Sequence, residues 1–208
     1  KAMQEMVRSR LTSVQRIAVA RDMHDGSSVL KAVMSSDIDK LQSTFEEIDR
    51  EAFDAAVNAI EHAEHVYIVG MRSSAALASF MAFYMNFLVE NVRLIHDTTA
   101  NEVYEQIMHI KENDVYIGIS YPRYSSSSLK AMRFAKTRGA SVIALTDNAN
   151  SPFVATSDIA LYANSDMVSF LDSLVAPMSL INALIVAVAA RKQETLAQTF
   201  NYLEQLWS

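Results

Sequence analysis

The sequence predicts an α/β fold, a doubly wound five-stranded parallel sheet flanked by helices. Three observations predict it. Five short runs have the β-branched, largely apolar look of strands buried on both faces: VYIV from Val66, VRLI from Val92, VYIGI from Val115, VIAL from Val142 and IALY from Ile159. Their starts lie 26, 23, 27 and 17 residues apart. Helix-patterned segments fill the intervals, and strand and helix in steady alternation imply right-handed βαβ crossovers.

Taken in order, residues 35–63 read as two amphipathic helices ahead of the sheet. The first crossover, 74–90, is SAALASFMAFYMNFLVE, apolar nearly all round. Such a helix is sandwiched in the core or buried against a second subunit. Helices are expected next over 101–110 and 125–138, with a short one near Ser151. Gly139 follows KTR, a glycine C-cap behind cations that suit a helix C-terminus. Asn91 is suited to the same role after Glu90. Beyond the last strand, 170–190 and 193–207 read as two more helices. The most apolar stretch, 174–190, is interrupted by Pro177, Ser179 and Asn182 and falls short of the ~20 apolar residues of a membrane span. It reads as a buried helix, and no membrane partner is expected.

The chain has 208 residues, half of them hydrophobic and a fifth charged, which suits one globular domain plus an appendage. It has no cysteine. That excludes a disulfide framework, a thiolate zinc site and a cysteine nucleophile, and fits a cytoplasmic protein. The first residue, Lys1, suggests a piece of something longer, and no signal peptide is visible. Charge is uneven: five basic residues against Glu5 give the first 21 residues +4, so the remainder carries −10 of the total −6. So acidic a body is a poor DNA binder by itself, because affinity for duplex comes largely from neutralising phosphates. The basic start is either the edge of a nucleic-acid-binding module or a solvated helix. RDMHDGSS, 21–28, is the hinge candidate.

Ligands of doubly wound sheets bind beyond the carboxyl ends of the strands. Three loops lie there: GMRSSA after the first strand, SYPRYSSSS after the third and TDNANS after the fourth. Each of the first two carries an arginine, Arg72 or Arg123, and more hydroxyls than one helix cap needs. Helix N-termini offer unpaired N–H groups and partial positive charge, serines add neutral donors, and arginine adds a charge-assisted bond; phosphate is the expected guest. The bland alternative makes Ser73, Ser74, Ser125 and Ser126 caps and turn residues.

Other chemistries are weaker. GISYP places Ser120 like a nucleophile elbow, but Pro122 stands where the elbow needs glycine and no histidine follows His109. The pair His62 and His65 sits where a helix runs into a strand, which reads as structural. No metal motif occurs, and GMRSSA has one glycine where a dinucleotide fingerprint needs three. No cofactor is expected.

At these residues the sequence resembles a SIS domain, the sugar isomerase fold that binds phosphosugars on a flavodoxin-like sheet. VYIVGMRSSAALA is similar to its first-strand motif, G-x-G-x-S, and residues 114–159 to the segment in which a strand ends in S-x-S-G-x-T. ISYPRYS resembles more closely the RpiR-type bacterial transcriptional regulators, which join an N-terminal helix-turn-helix domain to a C-terminal SIS domain; MVRSRLTSVQRI is similar to the end of that domain and its connector. The resemblance implies a connector over 1–24 and a SIS domain over 25–208. It implies phosphate binding by Ser74, Ser120 and Ser125, with Ser73, Ser128, Arg72, Arg123 and Glu102 as further candidates. It also implies a homodimer or higher homo-oligomer, a sugar phosphate effector, and DNA as partner through an N-terminal domain absent from this chain. Departures from the family pattern are specific. Arg72 replaces the second glycine, Pro122 and Arg123 replace a Ser-Gly pair, and Ser127 stands where isomerases commonly carry glutamate. An isomerase needs a base near the sugar C1 and C2, so the resemblance implies a sensor without catalysis. The alternatives are an isomerase using Glu102 or Asp97, an empty dimerisation module, or a hydrolase at Ser120.

Overall fold

The computed structural model describes residues 29–96, 100–166 and 171–207. The expected connector and hinge, Asp97, and the expected helix start at Phe170 lie outside the described residues. In chain order the elements are α1 (Val29–Glu47), α2 (Arg50–Glu61), β1 (Val66–Gly70), α3 (Ser74–Met85), β2 (Val92–Ile95), α4 (Ala100–Ile107), β3 (Val115–Ile119), α5 (Ser126–Thr137), β4 (Ser141–Thr146), β5 (Ile159–Tyr162), α6 (Val175–Arg191) and α7 (Gln193–Trp207).

All five expected strands form, pairing in parallel in the order β2-β1-β3-β4-β5. Successive residues of a strand face opposite sides, and both sides are apolar. Val66 and Ile68 of β1 pack with α2, α3 and α6. Tyr67 and Val69 pack with α4 and α5 on the other face. This double covering is what the unbroken apolar runs encode. No single helix among the described residues is long and apolar enough to cross a membrane.

Four boundaries depart from expectation, each for a local reason. Helix α3 stops at Met85, where Asn86 turns its Nδ2 back onto Ala82 O at 2.7 Å. The next residues turn inward, so that Leu88 and Val89 join the core. Asn91 therefore does not cap a helix; its Nδ2 donates to Glu64 O at 3.2 Å and its carbonyl accepts from Val66 N at 2.9 Å. Near Ser151 there are only turns, pinned by the buried Phe153, whose carbonyl accepts from the amides of Thr156 and Ser157 at 3.1 Å each. Helix α6 starts at Val175 rather than 170 because Ser173 is tied to α1, its Oγ donating to Asp37 Oδ1 at 2.6 Å. Gly139 behaves as expected, with φ at 86°. A Cβ there would lie 2.8 Å from Glu112 Cγ.

Candidate functional site

Strands β1 and β3 are neighbours, with Gly70 in register with Ile119. The chain winds from β1 to β2 in one direction and from β3 to β4 in the other, so their exit loops open on the point where strand order reverses. At the end of β1 the N-terminus of α3 presses onto the strand. A Cβ on Gly70 would meet Ser74 O at 2.4 Å and Ala78 Cβ at 2.9 Å, so only glycine permits the approach. The turn closes with Ser74 N on Met71 O and Ala75 N on Arg72 O, both 3.1 Å. Ser74 is buried; Ser73 and Arg72 are exposed. Ser73 occupies the capping position without a side-chain cap bond.

The second loop begins at Ser120, buried, with its amide on Leu145 O at 3.0 Å and its carbonyl accepting from Thr146 Oγ1 at 2.8 Å. Ser125 is the N-cap of α5, its Oγ accepting from Ser128 N at 3.2 Å, while Leu129 N takes Ser125 O at 3.1 Å. That leaves the amides of Ser126 and Ser127, which an α-helix cannot satisfy internally.

One contact joins the loops. Ser125 Oγ also lies 3.1 Å from Met71 Sδ, across the cleft between β1 and β3. With one lone pair serving the cap, the hydroxyl proton has two weak or neutral acceptors within reach, Met71 Sδ at 3.1 Å and Ser127 Oγ at 3.3 Å. An anionic oxygen would be a stronger acceptor than either.

Both arginines occupy the left-handed region, Arg72 at φ 56° and Arg123 at φ 70°. A non-glycine residue there costs about 1–2 kcal/mol, and such strain collects at functional sites. Arg123 Nη2 lies 3.5 Å from Asp172 Oδ2, a nearly buried carboxylate on the approach to α6. The positive charge at this loop thus already has a carboxylate partner.

Of the remaining sequence candidates, Ser128 is fully buried on the inner side of α5, its Oγ without a hydrogen bond among the described residues and its carbonyl taking Tyr116 OH at 3.3 Å. Glu102 is half-buried in the first turn of α4, on the β2 side. Ser74, Ser120 and Ser125 stand at one edge of the sheet.

Sequence reading named the loop after β4 but no residue in it. There Asp147 Oδ1 accepts from Tyr124 OH at 2.8 Å and lies 3.1 Å from Thr146 Oγ1, which is also 2.8 Å from Ser151 Oγ. Burial raises the Asp147 pKa above the usual carboxylate range, although the Tyr124 hydroxyl opposes this. Burial likewise pushes the Tyr121 and Tyr124 phenols up. The signal was the turn-rich TDNANS; Asp172, 49 residues from Arg123, left none.

His62 and His65 each have a structural partner, His62 Nδ1 lying 2.9 Å from Asn58 O. His65 Nδ1 is 2.8 Å from Asp114 Oδ1, whose other oxygen accepts from Lys111 N at 2.9 Å. Glu64 completes a possible ligand trio but is already paired with Lys111 at 2.8 Å. This cluster stands at the amino ends of β1 and β3, away from the cleft.

The SIS domain family model matches residues 59–187, more than half the chain. The chain belongs to the SIS domain family. An HTH-type transcriptional regulator of Caldanaerobacter subterraneus is 26% identical over 86% of this chain and 64% of its own length. The sugar isomerase domain of an RpiR transcription factor from Sphaerobacter thermophilus superposes with a TM-score of 0.82 at 29% identity, covering 86% of this chain and 99% of that one. Vibrio vulnificus NanR, solved with ManNAc-6P, shares the fold at a TM-score of 0.74 and 19% identity, over 94% of this chain and 76% of its own. The chain spans about half to two thirds of the length of the curated relatives it matches. These relatives include HTH-type regulators and the SIS domain of an RpiR transcription factor, in line with the resemblance the sequence carries.

Proposed function

We propose that this SIS domain is the effector-sensing part of a transcriptional regulator, binding a sugar phosphate between the β1 and β3 loops without turning it over. The carrying observation is the Ser125 hydroxyl, 3.1 Å from Met71 Sδ across the cleft. Ser74 and Ser120 at the same edge, the N-terminal amides of α5 and the Arg123 guanidinium complete a phosphate cradle. Arg72, Ser73 and Glu102 flank it, and Ser128 acts from beneath by packing. NanR was solved with a sugar phosphate, which supports the same ligand class here.

DNA is contacted through a helix-turn-helix domain joined by residues 1–24, consistent with the HTH-type relatives. The regulator would act in the cytoplasm as a homodimer. Ligand acts on DNA only by binding two arrangements of that dimer unequally. Catalysis is disfavoured because Ser127 occupies the place where the family's isomerases commonly carry glutamate.

The test is a melting-temperature screen against hexose, pentose and amino-sugar phosphates, including ManNAc-6P, with each unphosphorylated sugar as control. Ligand at 100 times its Kd adds ~2.7 kcal/mol of stability, so a shift requiring the phosphate supports the reading and a flat panel overturns it. Slow conversion of the bound sugar, lost in Glu102→Gln, would instead indicate the isomerase.

A further inference from the structure

Helix α1 leaves much of its apolar surface uncovered. Some of its polar residues face the body: Thr44 Oγ1 accepts from Asn164 N at 2.9 Å, Ser43 Oγ from Asn164 Nδ2 at 3.0 Å and Asp37 from Ser173, while Lys40 is buried with its Nζ 2.5 Å from Ser36 Oγ. Leu41 packs against the core, but four apolar residues face outward, with Leu30 75%, Met34 57%, Ile38 60% and Phe45 75% exposed. With Leu41 and Ile48, positions 34, 38, 41, 45 and 48 follow the alternating spacing of four and three that makes a helix-pairing seam.

We infer that this stripe is a two-fold interface with α1 of a second copy of the chain, packed antiparallel about Ile38. Three features select that occupant. Exposed Lys31 lies near the start of α1 and exposed Glu46 and Glu47 at its end, so an antiparallel copy sets opposite charges together at both ends, whereas a parallel copy sets like charges together. A two-fold interface must be self-complementary, and Ile38 stands near the centre of the exposed apolar run from Leu30 to Phe45. Finally, a groove of about 360 Å³ opens beside Phe45, between α1, α2 and α6, walled by Leu41, Ile48, Phe53, Ala176 and Leu180. The antiparallel arrangement delivers the partner's exposed Leu30 to that groove. The four exposed side chains offer roughly 500 Å², and the groove walls add toward the ~800 Å² per partner of a stable interface.

The inference rests on the dimer proposed above and specifies its surface; it does not depend on the ligand. It also gives the polar face of α1 a task. Asp172 holds Arg123 of the ligand loop, and its neighbour Ser173 holds Asp37, so the effector loop and the dimer helix share one short segment.

Because the chain has no cysteine, single-cysteine variants test the geometry directly. Under mild oxidation at micromolar concentration, Ile38→Cys should form a covalent dimer at least tenfold faster than Leu30→Cys or Phe45→Cys alone, and a mixture of the last two should cross-link with each other. In sedimentation, Lys31→Glu should weaken the dimer about tenfold, with restoration on adding Glu46→Lys and Glu47→Lys. Self-cross-linking of Leu30→Cys and Phe45→Cys would overturn the antiparallel arrangement. A monomer whose Ile38→Cys does not cross-link would mean that another part of the chain covers the stripe, and would overturn the interface. So would a dimer indifferent to Ile38→Glu. A phosphate-dependent melting shift that survives Ile38→Glu keeps the ligand reading separate from this outcome.

Discussion

Ser125 Oγ sits 3.1 Å from Met71 Sδ, linking the loops after β3 and β1 across the point where strand order reverses. The same oxygen caps α5 by accepting from Ser128 N. Cap and cradle are therefore two uses of one hydroxyl, and substitutions can separate them.

Ser125→Asp keeps a capping oxygen but places a negative charge where the phosphate belongs. Unfolding free energy should stay within about 0.5 kcal/mol of wild type, because aspartate caps as well as serine. Binding of sugar phosphates should fall at least 100-fold. Ser125→Ala should lose both, with the cap costing about 1 kcal/mol. Urea titration and calorimetric titration of each variant measure the two effects.

Arg72 lies in the left-handed region, where glycine is unstrained. Arg72→Gly should therefore stabilise the fold by roughly 0.5 kcal/mol, the relief of left-handed strain outweighing the extra freedom of an unfolded glycine. A raised urea midpoint with a few-fold loss of phosphate affinity is the expected pattern. A lowered midpoint would show that the side chain's contacts outweigh the strain.

Gly70 is the opposite case. A methyl there runs into the Ser74 carbonyl and Ala78, and neither backbone nor buried Cβ can yield without moving α3. Gly70→Ala should cost about 1–3 kcal/mol, typical of overpacking, and weaken the ligand through displacement of Ser74. Circular dichroism melts and ligand titration test this together.

Burial raises the Asp147 pKa above that of the unfolded chain. A carboxyl shifted in that direction binds more protons folded than unfolded, so its contribution favours the fold at low pH. That contribution is lost as pH rises from the ordinary carboxylate range through the raised value. Asp147→Asn should flatten this fall in melting temperature as pH rises above the ordinary carboxylate range. An unchanged slope would mean that other groups set it.

Much of the fold was legible because its central strands, β1, β3 and β4, are buried on both faces and do not alternate as amphipathic helices do. VYIGI and VIAL could be little else. Helix ends were harder. Leu88 and Val89 extend the apolar pattern of α3, but they do so from a turn folded beneath it, and periodicity cannot see that difference. The position of Ser74, Ser120 and Ser125 at one edge of the sheet was readable, because each follows an apolar run that had to be a strand. Asp172 was not, because its meeting with Arg123 is made by tertiary contact alone. Nor was the orientation of α1: amphipathicity shows that a helix has two faces, and here the hydrogen bonds of Asn164 and Ser173 turn part of the polar one inward.

Calorimetric titration of the chain with phosphorylated and unphosphorylated forms of the same sugars, in parallel with Ser125→Asp, tests the central claim most directly. The account predicts one site per chain, heat only from the phosphorylated sugars, and loss of that heat in a variant that remains as stable as wild type. Equal binding of the bare sugars, or undiminished binding by Ser125→Asp, would contradict it.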